Sequence, residues 1–345
     1  MSATPSVPDR DTVLATVYCL VDDLYRAHLA PRRPPGGRPP AVNDSEVLTL
    51  MILSQWRPDR SQRAFLRMLE RERAWRTAFP HRLSQSAFCR RAHHLWGALA
   101  ALAPLILTAA ETQLGVPVPL YGVIDGVPVP VVRRERLAHT PLRPWLGLGR
   151  GGTDKGWYAG VALLLEVTPQ EFIRGGLAGP ANTGERWLLE TLLHWRHDPT
   201  LPVPSAAELA PVLGPSHKAA GQRSGPSGPL GPRWAVGAPL VGPQLADLGF
   251  RGAEWQHHWQ QDLGQVVLTK AGLPPEQRPW FNGLRQVVER CNGRLEAVFG
   301  LWYPRAQTAV GLWSRLGAKL AAHNLMLWLN HALGLAPEAC WSPLP

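Results

Sequence analysis

The sequence predicts an N-terminal helical domain joined to an α/β domain, a mixed sheet with helices. Three observations predict it. Apolar residues recur at three- and four-residue steps as far as residue 115. After residue 116 the pattern changes to short alternating apolar runs bounded by glycine and proline. Those runs are interleaved with amphipathic helical stretches, the order of a layered α/β architecture rather than of a bundle or a sandwich. The expected boundaries are 1–115 for the helical domain, 116–335 for the α/β domain and 336–345 for a tail. A Pro/Gly-rich insertion falls at about 199–243, where 10 Pro and 7 Gly leave little hydrophobic periodicity.

In the first domain, residues 11–30 and 44–115 read as helical, with Asp11-Thr12 and Asp44-Ser45 as N-caps. The segment PRRPPGGRPP (31–40) between them is a tether that cannot be helical throughout. In the second domain, 118–125 and 127–134 read as two strands around an Asp125-Gly126 turn. Residues 157–167 and 171–177 form a second hairpin. A helix is expected over 185–197, strands near 234–238 and 265–270, and closing helices over about 281–299 and 309–333.

Composition narrows the function. At 345 residues and 45% hydrophobic, the chain can bury a sizeable core, which excludes wholesale disorder. The N-terminal MSATPSVPDRDTV has no apolar signal core. The run Trp96–Ala110 contains Pro104 and falls short of the ~20 residues of a membrane span. The four cysteines (19, 89, 291, 340) show no C-x2-C spacing, and no Glu-x-x-His frame accompanies His194 and His197, so zinc is not expected. A cytoplasmic, nucleoid-associated protein with no membrane partner is the expectation. The net charge is +10, and only 4 of 36 basic residues are lysine. Arginine presents a bidentate fork to phosphate, so a nucleic acid is the expected partner. Residues 57–94 hold ten arginines against three acids. Arg60, Arg63, Arg67 and Arg71 recur at helical spacing, and a following short helix carries Arg90 and Arg91, a pattern compatible with DNA docking.

Three acids are the candidates for chemistry. Asp125 lies at the end of an apolar strand, Asp247 precedes Leu248-Gly249-Phe250, and Glu289 sits inside a helix. Singly, each suits a turn, a cap or a surface charge. Together they can converge on one sheet edge, as a two-metal phosphoryl-transfer site requires. Carboxylate oxygens suit Mg²⁺. Trp255, Trp259 and Trp280 lie near these acids in sequence and read chiefly as core, with stacking on bases as a second use.

Several stretches, in order, resemble the DDE transposases of bacterial insertion sequences: YGVIDGVPVPVV, PANTGERWLLETLL, LADLGFRG, LRQVVERCNGRLEAVFG and LGAKLAAHNLMLWLNH. The resemblance covers most of the chain. It implies a ribonuclease-H-like catalytic core, with Asp125, Asp247 and Glu289 as the catalytic, metal-holding acids and Arg285 one helical turn before the third. It further implies two Mg²⁺ ions, replaceable by Mn²⁺. Its DNA partners would be inverted-repeat element ends and target DNA, bound as a homodimer on paired ends. The chain departs from the family pattern where Leu248 and Phe250 replace Lys and Tyr, where Asn282 and Glu296 replace Tyr and Lys, and at Ala162. Two other readings use the same residues: a decayed transposase that only occupies DNA, and a ribonuclease-H-like nuclease without strand transfer.

Overall fold

The computed structural model describes residues 9–30, 40–56, 61–151, 156–197, 233–234, 242–337 and 339, with no side-chain description for His197, Arg233 and Trp234. The chain divides into two compact units. One holds Met1–Val116, Arg294–Pro304 and Val310–Pro345; the other holds Pro117–Gly293 and Arg305–Ala309.

The helical unit contains α1 (Arg10–Leu24), α2 (Asp44–Leu53), α3 (Gln62–Arg71), α4 (Arg73–Ala78), α5 (Gln85–His94) and α6 (Trp96–Gln113). The caps fall slightly earlier than expected. Asp9 caps α1, accepting from Thr12 N–H, and Asn43 with Glu46 forms a capping box on α2. The long C-terminal helix Ala309–Ala332 belongs to this unit from Val310 onward, rather than to the α/β domain expected to run to 335. Its burial from Gly311 through Asn330 explains why: a helix apolar on all sides needs other helices around it. Ser314 Oγ donates to Ala92 O at 3.2 Å and Asn324 Nδ2 to Ala103 O at 2.7 Å. A Cβ on Gly317 would lie 3.0 Å from the Leu99 carbonyl carbon, so a glycine there permits close approach to α6. Among the described residues no single helix is long and apolar enough to cross a membrane.

The α/β unit is built on one mixed sheet. Its strands are β1 (Gly122–Val132), β2 (Gly147–Arg150), β3 (Trp157–Val167), β4 (Ile173–Pro180), β5 (Arg233–Trp234), β6 (Gln244–Ala246) and β7 (Val267–Thr269). Their order is β5-β4-β3-β1-β6-β7, with β2 paired to β3. β3 lies between β1 and β4 and is antiparallel to both, whereas β6 pairs parallel with β1 and β7 parallel with β6. The hairpin expected around Asp125-Gly126 is absent: β1 runs straight through both residues, pairing them with Leu165 and Leu164 of β3. Its two prolines are tolerated for a geometric reason. Gly122 donates its N–H to Pro243 O, on the β6 side. Pro128 and Pro130 share that parity, but β6 pairs only with Gly122 and Val123. Their missing N–H groups therefore face no partner strand.

Helix α7 (Glu185–His197) covers one face of the sheet over the expected span. Its Leu188, Leu189, Leu192 and Leu193 pack on Ile124, Leu164 and Leu177. Helix α8 (Ala253–Asp262) adds Trp255 and Trp259 to the same cluster. Both rings are buried, so neither is placed to stack on a base, while Trp280 is 65% exposed. Burying each such side chain contributes roughly 1.5–3 kcal/mol. The fully buried Glu190 ties α7 to α8, accepting from His258 Nε2 at 2.9 Å and Trp259 Nε1 at 2.7 Å. His194 Nε2 lies 3.3 Å from the same carboxylate. Arg60, residues 31–39 of the tether, most of the 199–243 insertion and most of the tail lie outside the described residues.

Candidate active site

Strand register brings the first two acids together. β1 and β6 are parallel, with Gly122 opposite Gln244 and Val123 opposite Leu245. Continuing that register by two residues sets Asp125 beside Asp247, on chains ~4.8 Å apart. Asp247 immediately follows β6 and caps a short turn, its Oδ1 accepting the Gly249 N–H at 2.6 Å.

The third acid comes from α9 (Arg278–Ala297). Arg285, Glu289 and Asn292 are four and three residues apart and therefore share one helix face. Asn292 Nδ2 donates to Asp125 Oδ2 at 3.1 Å, and Arg285 Nη2 lies 3.7 Å from Asp125 Oδ1. Arg290 fixes the helix from another side, its Nε bonding Glu171 Oε1 at 2.6 Å. Glu171 closes the β3–β4 turn with a positive φ of 72°. Glu289 itself is exposed and adds its charge to the field at Asp125.

A fourth carboxylate, not singled out from the sequence, joins them. Glu185 is the first residue of α7. A Cβ on Gly126 would fall 2.3 Å from Glu185 Oε1, and one on Gly249 would fall 2.4 Å from Glu185 Oε2. The Gly249 position also lies 2.8 Å from Asp247 Oδ1, so the Glu185 and Asp247 carboxylates flank the same glycine. The legible signal is a glycine within two residues of each aspartate, in Asp125-Gly126 and Asp247-Leu248-Gly249.

The electrostatics follow from this crowding. Burial pushes the Asp125 carboxyl up to about 6, with Asp247 and Glu289 adding to the rise and Arg285 opposing it. Burial likewise pushes Glu185 up to about 7, reinforced by Asp247 and Asp125. Negative charge therefore exceeds its local compensation. Two polar atoms are left over: Asn292 Oδ1 and Arg285 Nε are shut off from solvent without a hydrogen-bond partner.

The donor set fits a hard divalent cation. Among the described residues, no three His, Cys, Asp or Glu side chains form a preformed cage. Mg²⁺ does not require one, since it binds through one or two carboxylates, water and substrate phosphate.

The basic residues divide. Arg63, Arg67 and Arg71 are exposed on one face of α3, and Arg90 is exposed on α5. Arg91 turns inward instead. It donates to Val42 O at 2.5 Å and pairs with Asp44, joining α5 to the start of α2.

Comparison with protein families, with curated proteins and with solved structures returns no match for this chain.

Proposed function

We propose that the protein is a DNA transposase of the DDE type, cutting and joining phosphodiesters at a carboxylate site in its α/β unit. One observation carries the reading. Asp247 and Glu289, which lie 122 and 164 residues further along the chain, both act electrostatically on Asp125 of β1. The sheet supports a ribonuclease-H-like core: three antiparallel strands are followed by a crossing helix and two strands parallel to the first, with Asp125 on the central strand.

Each side chain has a role that its contacts support. Asp125 and Asp247 would hold the cation between adjacent parallel strands, and Glu289 would complete the set from α9. Asn292 orients Asp125 through its 3.1 Å hydrogen bond. Arg285 holds its unpaired Nε–H beside the acids, where a phosphate oxygen can accept it. Two Mg²⁺ ions, or Mn²⁺, if held by these carboxylates, would supply Lewis-acid stabilisation for an in-line displacement. Water would add to the phosphorus at the element end as its P–O3′ bond breaks, freeing a 3′-hydroxyl; that hydroxyl would then add to a target-strand phosphorus as the P–O3′ bond there breaks, so one diester replaces another and the displaced target oxygen leaves as a hydroxyl. No protein nucleophile is required. The exposed Arg63, Arg67, Arg71 and Arg90 would neutralise backbone phosphates, with the α3 arginines rising ~6 Å per step.

A plasmid carrying the gene with its flanking DNA, incubated with the protein, Mg²⁺ and a second plasmid, tests the reading. Expected are nicks at the element boundaries and covalent joining of the 3′ ends to the second plasmid. Nicks without joined product would favour the nuclease. No nicking in Mg²⁺ or Mn²⁺ would leave only the DNA-occupying reading.

A further inference from the structure

We infer that the exposed arginines of the β1–β2 connection and of β2, together with Trp157, form a second DNA surface, one that holds the strand flanking the reacting phosphodiester. The inference rests on the reading of the acids as a phosphoryl-transfer site and adds to it the part of the α/β unit that guides DNA to them.

Residues 133–150 hold five arginines, Arg133, Arg134, Arg136, Arg143 and Arg150, against a single acid, Glu135. All five are exposed. Among the described residues none of them pairs with a carboxylate. Like charges gathered this closely repel one another, a cost that a polyanion removes. The connection is ordered rather than trailing: two short turns, Arg134–His139 and Arg143–Trp145, shape it, and Leu142 and Leu146 are buried beneath it.

β2 is closed on one side and open on the other. Gly147 and Gly149 are buried, and a Cβ on them would fall 2.3 Å from Asn182 Oδ1 and 2.4 Å from Ala181 O. Leu148 and Arg150 alternate with them and are exposed on the opposite face. Arg150 lies directly opposite the half-exposed Trp157, and opposed residues share a face. Trp157 and Leu165 are an even number of residues apart on β3, so they share that face too, and Leu165 lies opposite Asp125. The basic end of the sheet and the first candidate acid are therefore on one face. The eight residues of β3 between Trp157 and Leu165 span about 26 Å at ~3.3 Å each. That is the length of roughly eight base pairs. Guanidinium forks suit phosphate oxygens, and an exposed indole beside an arginine offers a flat face to an unpaired base. An anionic membrane lying on this face would cover the acids, whereas a DNA strand passes from one end to the other.

Fluorescence anisotropy of the full-length protein with a labelled random-sequence duplex bearing a single-stranded tail, over a salt series in chelator, tests the inference. Each phosphate contact contributes ~0.7–0.9 to the slope of log K against log salt, so replacing all five arginines with glutamine should flatten it by ~4. Arg134→Gln with Arg136→Gln, confined to an exposed turn, should flatten it by ~1.6 and serves if the larger variant does not fold. Trp157→Ala should weaken binding about tenfold with the slope unchanged, since it removes a ring and no charge. An unchanged slope in the folded arginine variants, or Trp157→Ala bound as tightly as wild type, would overturn the inference and leave the carboxylate reading standing. Wild type that binds no DNA would overturn both. Loss of binding to phosphatidylserine vesicles in the arginine variants, with the DNA slope unchanged, would give the surface to a membrane instead.

Discussion

Asp125→Asn should stabilise the protein, and only above mildly acidic pH. In the folded chain the Asp125 carboxyl is raised from 3.8 to about 6, chiefly by burial. Between those two values the unfolded chain releases a proton that the folded chain retains, so stability falls as pH rises. Well above pH 6, where both states are ionised, the loss is complete. At ~1.4 kcal/mol per pH unit it amounts to about 3 kcal/mol. The side chain is 20% exposed, and solvent screening reduces the figure. The variant keeps an acceptor for Asn292 but deprives Arg285 of its 3.7 Å partner, which reduces it again. A net gain of about 1–2 kcal/mol remains at pH 8. For a unit of this size, that raises Tm by roughly 3–6 °C. Well below pH 3.8 both states are protonated and the gain should vanish. Calorimetry of wild type and variant at about pH 3 and pH 8, in chelator, measures the difference. A variant less stable than wild type at pH 8, or equally stabilised at both pH values, would refute the account of a charge-crowded site.

Replacing Arg63, Arg67 and Arg71 together with alanine should flatten the dependence of log K for DNA on log salt by ~3, since each lost phosphate contact removes ~0.9 from the slope. An unchanged slope in a filter-binding titration would remove α3 from the interface. Arg91→Ala should leave that slope unchanged while costing about 1–3 kcal/mol in urea denaturation, because its bonds run to Asp44 and Val42 rather than outward. Gly126→Ala should destabilise the protein by about 1–3 kcal/mol, as its Cβ meets Glu185 Oε1 at 2.3 Å. Most of that cost should disappear in a Glu185→Ala background, and a double-mutant cycle showing additivity would exclude the contact.

Much of the fold was legible because its helices follow local rules. Leu188, Leu189, Leu192 and Leu193 announce the buried stripe of α7, and the start of α2, expected at Asp44-Ser45, falls one residue from its Asn43 cap. The candidate acids were legible as types, but their assembly was not. Asp125-Gly126 carries the signature of a hairpin turn, yet it lies mid-strand, paired with β3, and the glycine makes room for a side chain 59 residues away. No local pattern contains that fact. Glu185 was hidden for the same reason: alone it is an ordinary first-turn acid. The placement of the Ala309–Ala332 helix was also hidden, since an all-round apolar helix declares that it is buried but not against what. Arg91 shows the converse. Its charge matches its neighbour Arg90, and only the tertiary contact with Asp44 separates their roles.

The central claim is that these acids act on DNA phosphodiesters, and nicking of end-containing DNA in Mg²⁺ tests it most directly. Wild type and Glu296→Lys should nick. Asp125→Asn, Asp247→Asn and Glu289→Gln should each bind the DNA and leave it intact, since a carboxylate two helical turns along α9 cannot replace Glu289. Full nicking by any of the last three variants would contradict the account.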